Sequence, residues 1–240
     1  FPDANVKQDA DTTALKNMLD KLIAQRKSET LIKQVGEIKD YRLYDEIQST
    51  FRQIVEGKLY DAPLMLEWNT WRAMTMLDGG EIKANLNFDD FGKPLSTAQG
   101  NISDIVCDYG DFMLSVEVTM ASGQRQYEME GEPVCRHLGK MKKAMNKPCY
   151  GLFVAPSIND ACIAHFFALH NVNISLYGRK SVNNQKKIKK KKKMVEDSYN
   201  VDFTPTPSHV KKLFEYSEKL ASECGDERIW FEGIKEKALN

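Results

Sequence analysis

Asp104-Ile105-Val106-Cys107-Asp108-Tyr109-Gly110-Asp111-Phe112-Met113-Leu114-Ser115-Val116-Glu117-Val118-Thr119 is the stretch that decides the fold. It holds two short apolar runs separated by Tyr109-Gly110-Asp111, which reads as a tight turn. The spacing predicts a β-hairpin, with strands over Ile105 to Tyr109 and Phe112 to Met120. One acidic residue opens the first run and another closes the second. A hairpin therefore presents Asp104 and Glu117 side by side at one edge of a sheet. Paired carboxylates in such a place suit Mg2+, which prefers oxygen ligands and keeps waters for chemistry. The reaction this suggests is metal-assisted hydrolysis of a phosphodiester.

The acidic series extends in both directions. Glu130 lies thirteen residues beyond Glu117, in Tyr127-Glu128-Met129-Glu130-Gly131-Glu132-Pro133, where three glutamates alternate and spacing alone leaves open which one points inward. Upstream, Glu67 sits in Leu66-Glu67-Trp68-Asn69-Thr70-Trp71 on an expected helix. Each residue has a plainer reading. Asp104 alone is a strand-start or turn residue, Glu117 the polar side of a strand, and Glu67 a surface charge. A charge inside Leu114-Ser115-Val116-Glu117-Val118 is nevertheless costly to bury unless it meets a cation or partner. The carbonyl of Val118 is a natural further ligand, because it follows Glu117 on the same edge.

Outside the hairpin the pattern is mixed α/β. Leu15, Met18, Leu19, Leu22 and Ile23 form one helical stripe, and Tyr44, Ile47, Phe51, Ile54 and Val55 form a second after a break near Gly36. These stripes read as helix packing or as a surface for a partner. A third helix is expected from Ala62, with Pro63 in its first turn, to Leu77 before Gly79-Gly80. Strands are expected at Ile82 to Phe88, at Tyr150 to Ala155 (apolar enough to be buried on both faces) and, more weakly, at Asn173 to Tyr177. Helices are expected over Gln124 to Lys147, Asn159 to His170, Ser208 to Cys224 and Asp226 to Leu239. The reading is an α/β core with at least one crossover. As domains, 1-60 is a helical linker or docking segment, and 61-240 is the catalytic domain.

Composition bounds the rest. The chain has 240 residues, 42% of them hydrophobic and 10% aromatic, enough for a real core. Lys+Arg 34 against Asp+Glu 34 gives a formal net charge of zero, so overall charge argues neither for nor against DNA. Lysines crowd into Lys186 to Lys193, within an expected flexible loop over 180-200. That run reads as a solvated loop, a phosphate-contacting loop or a nuclear-localisation signal. Five scattered cysteines without a Cys-x-x-Cys pair argue against a disulfide framework and a zinc site. An intracellular, cytoplasmic setting is expected, with no membrane span and no signal peptide. The chain opens on Phe1 rather than Met, as a piece of something longer would.

Several stretches together carry a resemblance. They are Leu66 to Trp71, Ala98 to Asp104, Val116 to Thr119, Met129-Glu130-Gly131-Glu132-Pro133-Val134-Cys135-Arg136-His137 and Leu152 to Asn159. In order and spacing over about 64 to 175, the chain resembles the cleavage domain of the AlwI family of type IIS restriction endonucleases, which includes site-specific nicking endonucleases. The resemblance implies a PD-(D/E)XK nuclease core with an N-terminal helical extension, hydrolysing DNA with divalent metal and leaving 5′-phosphate and 3′-hydroxyl ends. It also implies that Glu67, Asp104, Glu117 and Glu130 are the acidic active-site positions and His137 a nearby histidine. The chain departs from the nuclease motif twice: Ser103 stands where Pro is usual, and Thr119 where Lys is usual. Glu130, Gln126 and Lys83 are candidates for the missing lysine's part.

The expected mechanism has Mg2+, or Mn2+ as a substitute, held by Asp104, Glu117, the Val118 carbonyl and Glu130. Arg136 is an expected phosphate clamp, since its planar fork suits phosphate oxygens. His137 is read as a phosphate contact or proton shuttle, or else as a packed helix histidine. Residues 1-60 show no helix-turn-helix, finger or basic recognition helix. Sequence recognition of double-stranded DNA is therefore expected from another domain or a larger recognition subunit, and a second cut from that partner or a homodimer. Two rival readings are a structure-specific nuclease of repair or a mobile element, and a non-catalytic assembly subunit with the same fold.

Overall fold

Gly110 sits at φ +84, a conformation glycine reaches without strain, and Tyr109 N–H donates to the Phe112 carbonyl at 3.0 Å. These features close the hairpin that the sequence predicts. In the computed structural model, which describes residues 11–39, 41–176 and 206–238, its strands are β4 (Ile105–Asp108) and β5 (Met113–Val118). They pair antiparallel with Ile105 opposite Val116. Two further strands complete a four-stranded mixed sheet in the order β1-β4-β5-β6. Strand β1 (Glu81–Ala84) is antiparallel to β4, and β6 (Cys149–Val154) is parallel to β5. The parallel pair needs a crossover, which α4 (Gly123–Ala144) provides.

Helix α4 lies on one face of β5 and β6, where the small Gly151 lets the Leu138 side chain approach closely. The opposite face, carrying Ile105, Cys107, Leu114 and Val116, is fully buried and receives α3 (Ala62–Met76). Asp61 caps α3 by accepting from Leu64 N–H at 3.3 Å, and a proline occupies the first turn. Helices α1 (Thr12–Lys39) and α2 (Tyr44–Val55) pack on α3. Arg72 ties α2 to α3. Its guanidinium lies 4.4 Å from the Trp68 ring, donates to Asn69 Oδ1 at 3.3 Å and pairs with Glu46 at 2.6 Å.

The chain divides into two compact units, Phe1–Ser157 and Ile158–Asn240. Among the described residues the second holds α5 (Asp160–Leu176), α6 (Pro207–Glu223) and α7 (Glu227–Ala238), with Trp230 against Phe167 and donating to the Ser217 carbonyl at 3.1 Å. Among the described residues no helix is long and apolar enough to cross a membrane. All five cysteines are free thiols.

Four expectations need correction. Helix α1 continues through Gly36 to Lys39. Ile82 to Phe88 is not one strand: Asn85 donates to the Ser103 carbonyl, and the chain then enters a separate two-stranded sheet of β2 (Asn87–Phe88) and β3 (Pro94–Ser96). Residues Asn173 to Leu176 are the end of α5, not a strand. The apolar run at β6 is an edge strand and half-buried; β5 is the one buried on both faces. The Lys186 to Lys193 run lies outside the described residues.

Arg72→Ala is expected to lower stability by about 2–3 kcal/mol, because it removes charged hydrogen bonds and uncovers Trp68. Urea unfolding followed by tryptophan fluorescence would measure it, and an unchanged midpoint would show that α2 is held otherwise.

Candidate active site

Antiparallel pairing brings the start of β4 to the end of β5, so the hairpin delivers Asp104 and Glu117 to the same end of the two central strands rather than to an edge strand. Asp104 Oδ2 accepts from Val118 N–H at 2.7 Å, which locks the first carboxylate onto the second strand. Glu117 is buried and held twice. Ser115 Oγ donates to its Oε1 at 3.0 Å, and His137 Nδ1 lies 3.1 Å from both oxygens. Ser103 Oγ stands 2.6 Å from Ser115 Oγ. The serine that replaces the expected proline thus extends a hydroxyl chain to Glu117.

Glu67 of α3, only 3% exposed, reaches the same place and accepts from Ala98 N–H at 2.9 Å. Of the three alternating glutamates, Glu130 lines the cavity, Glu128 is exposed, and Glu132 pairs with Arg136 at 2.9 Å. Arg136 also donates from Nη1 to Asn101 Oδ1 at 2.9 Å. Glu67, Asp104, Glu117, Val118, Glu130 and His137 all line one cavity of about 810 Å³, with Arg136 in its wall.

Burial dominates the electrostatics, because a carboxylate loses its charge when removed from water. Burial, with repulsion from Asp104 and Glu117, pushes Glu67 up to about 8 against one hydrogen bond from Ala98. Asp104 rises to about 7 through burial, countered by the Val118 amide and reinforced by Glu117 and Glu130. Glu117 rises to about 7 through burial, with the Ser115 and Ser103 hydroxyls and Arg136 opposing and Glu130 adding. Burial, and then Arg136 and Lys140, lower His137 and so disfavour the imidazolium, against Glu132 and Glu130, which raise it. With Glu117 ionised, Nδ1 carries the proton toward it, and among the described residues the buried Nε2 has no partner. Among the described residues no three acidic, histidine or cysteine side chains converge as tightly as an ion's coordination shell. Glu67, Asp104 and Glu117 are instead each turned toward a hydrogen-bond donor.

Two candidates for the missing lysine's part are not at this cavity. Gln126 is fully buried and donates to the Ala121 and Ser157 carbonyls at 2.8 and 2.9 Å, fastening the start of α4. Lys83 on β1 lines a different cavity. Thr119 does line the site, its hydroxyl accepting from Ala121 N–H at 3.0 Å. Sequence reading missed Arg125, which lines the cavity from the first turn of α4. A signal was present: Arg125 and Arg136 are eleven residues apart, about three turns, and so share a helix face.

Comparison with known proteins gives two findings. The sequence model of the family described as AlwI restriction endonuclease matches residues 3–188. Among solved structures, the small subunit of the heterodimeric restriction endonuclease R.BspD6I superposes with a TM-score of 0.54, covering 83% of this chain and 97% of that one. At 22% identity that likeness is one of fold. No curated protein sequence matches the chain.

The raised carboxyl groups set the pH dependence of stability without added metal. Asp104, Glu117 and Glu67 stay protonated in the folded chain up to about 7, 7 and 8, whereas unfolded they ionise near their ordinary values. The native state therefore binds more protons through that window, and stability falls as pH rises from about 4 to 8. Asp104→Asn is expected to raise the melting temperature more at pH 8 than at pH 5; equal shifts at both would contradict the raised value.

Proposed function

Because the chain belongs to the AlwI restriction endonuclease family, we propose that it is the cleavage component of a type IIS restriction or nicking enzyme. It hydrolyses phosphodiester bonds of double-stranded DNA as a divalent-metal-dependent endonuclease of PD-(D/E)XK type. The observation that carries this reading is that carboxylates from four separate parts of the chain line one cavity beside an arginine. Burial and mutual repulsion raise three of them, so ionising the set together calls for positive charge that its hydrogen-bond donors do not supply.

An all-oxygen set of this kind fits a hard dication such as Mg2+, with Mn2+ as a substitute. Asp104, Glu117, the Val118 carbonyl and Glu130 would hold it. When bound, the ion polarises the phosphoryl oxygen and lowers the pKa of a water. The protein's own residues do the remaining work. Ser103, Ser115 and His137 fix the direction of Glu117, as outer hydrogen bonds commonly orient a ligand. Arg136 offers a planar fork to a phosphate oxygen, and Arg125 a second cation on the same helix face. Thr119 brings no charge, so these arginines are the cations nearest the reaction. His137, neutral and bonded to Glu117, can take up a proton released there.

One such cavity cuts one strand. A second cut then needs another active site, and sequence recognition needs another domain or subunit. We assign docking of that partner to the N-terminal helices, where Leu15 and Leu19 of the α1 stripe are 40% and 51% exposed. Isolated apolar residues at a surface are ordinary, but two on one stripe form a contact strip.

Supercoiled plasmid with Mg2+ or Mn2+ tests the activity. Wild type is expected to give nicked or linear product, and Asp104→Asn or Glu117→Gln to lose at least about a hundredfold, since even outer-shell changes cost metal sites 10–100-fold. Cleavage by Asp104→Asn at the wild-type rate would remove the assignment. For the partner, Leu15→Glu with Leu19→Glu is expected to keep the helical circular dichroism while abolishing co-elution with a candidate recognition subunit. Unchanged co-elution would move the docking surface elsewhere.

A further inference from the structure

A second cavity, of about 450 Å³, adjoins the first. It exists because α4 covers only half of its sheet face, packing on β5 and β6. Lys83 of β1 and Val106 of β4 are cross-strand partners on that face, so their side chains share it. Lys83 is exposed and Val106 half-buried, and both line the cavity, with Lys140 and Met141 of α4 forming its far wall. Asn85 and Asn101 add polar groups.

Three observations bear on its use. No carboxylate lines it, in contrast to the four carboxylates next door. Among the described residues, neither Lys83 nor Lys140 has an ion-pair partner, and Lys140 makes only a long bond of 3.4 Å to the Asn101 carbonyl. The wall between the cavities is thin, since Asn101, Ile102 and His137 line both. His137 is itself buried, with Nε2 unpartnered. Asn101 crosses this wall at φ +77 and is tied to α4 through Arg136.

We propose that the second cavity is a phosphate subsite, in which Lys83 and Lys140 hold a phosphodiester neighbouring the one that is cut, on the same DNA strand. This rests on the nuclease reading of the first cavity. Phosphates recur every 3.4 Å or so of axis along one strand, so a strand entering the first cavity carries further charges across the Asn101 wall. There it meets ammonium groups, compact charges suited to phosphate, and no competing anion. The flanking contacts offset the repulsion that a polyanion feels from the carboxylate cavity.

Fluorescence anisotropy of a labelled short duplex, titrated across ionic strength, tests the subsite without requiring cleavage. Lys83→Gln with Lys140→Gln is expected to reduce the slope of log affinity against log salt by about 2, and each single change by about 1. Lys16→Gln with Lys33→Gln, an equal change of net charge on α1, is expected to leave the slope unmoved. A slope unaltered in the first pair, an equal fall in the control pair, or no binding by wild type at low salt would each overturn the subsite. Plasmid cleavage in the same preparations separates the two readings. Metal-dependent cutting that Asp104→Asn abolishes, with an unmoved slope, removes the subsite and keeps the nuclease. A reduced slope without cutting in any metal keeps the lysine contacts to DNA phosphate and removes the nuclease reading, and with it the claim that the neighbouring phosphodiester is the one cut.

Discussion

Burying several like charges in one place is the constraint on which the rest of this structure depends. A lone buried carboxylate is expensive, and neighbours of the same sign raise the cost. The protein meets that cost with donors rather than with cations. The Val118 amide serves Asp104, the Ala98 amide serves Glu67, and Ser115 with His137 serves Glu117. The donors come from three segments, β5, the loop before β4 and α4, so satisfying the carboxylates also joins these to α3. The fold and the site are in this sense one set of hydrogen bonds. Arg136, the obvious cation, is mainly engaged with Glu132 and Asn101 and only moderates Glu117.

What the sequence made legible follows from distance along the chain. The hairpin was readable because its turn, its two apolar runs and both carboxylates fall within one short stretch. The first two helices were readable from their stripes, though the first runs on through Gly36, where a break was expected. Errors arose where a tertiary contact overrode a local pattern. Ile82 to Phe88 alternates well enough for one strand, but Asn85 is drawn to the Ser103 carbonyl and divides it. The apolar run of β6 gave no sign that it would stand at an edge. Asn173 to Leu176 has strand-like residues, yet it continues a helix already under way.

The site shows the same division. Asp104 and Glu117 followed from the hairpin, Glu67 and Glu130 from the acidic series around it with their roles from resemblance, and His137 from resemblance; the cavity gathers them all. The hydroxyl pair Ser103–Ser115 was not legible, because its meaning depends on a cross-strand approach that no spacing rule states. Gln126 looked like a candidate for the chemistry because it is polar and well positioned in sequence. Its complete burial between two carbonyls makes it a fastening for α4 instead.

The bond from Val118 to Asp104 spans 14 residues, whereas Glu67 to Ala98 spans 31 and His137 to Glu117 spans 20 with a crossover helix between. Short loops close at lower entropic cost and sooner than long ones. In a growing chain the hairpin carboxylates therefore meet before the residues that enclose them, including the histidine and Glu130, which emerge later. A partly made molecule holds an open pair of acids without its arginines or its walls. The cavity is complete only when α4 has crossed over, so the order of assembly itself delays the moment at which its carboxylates are enclosed.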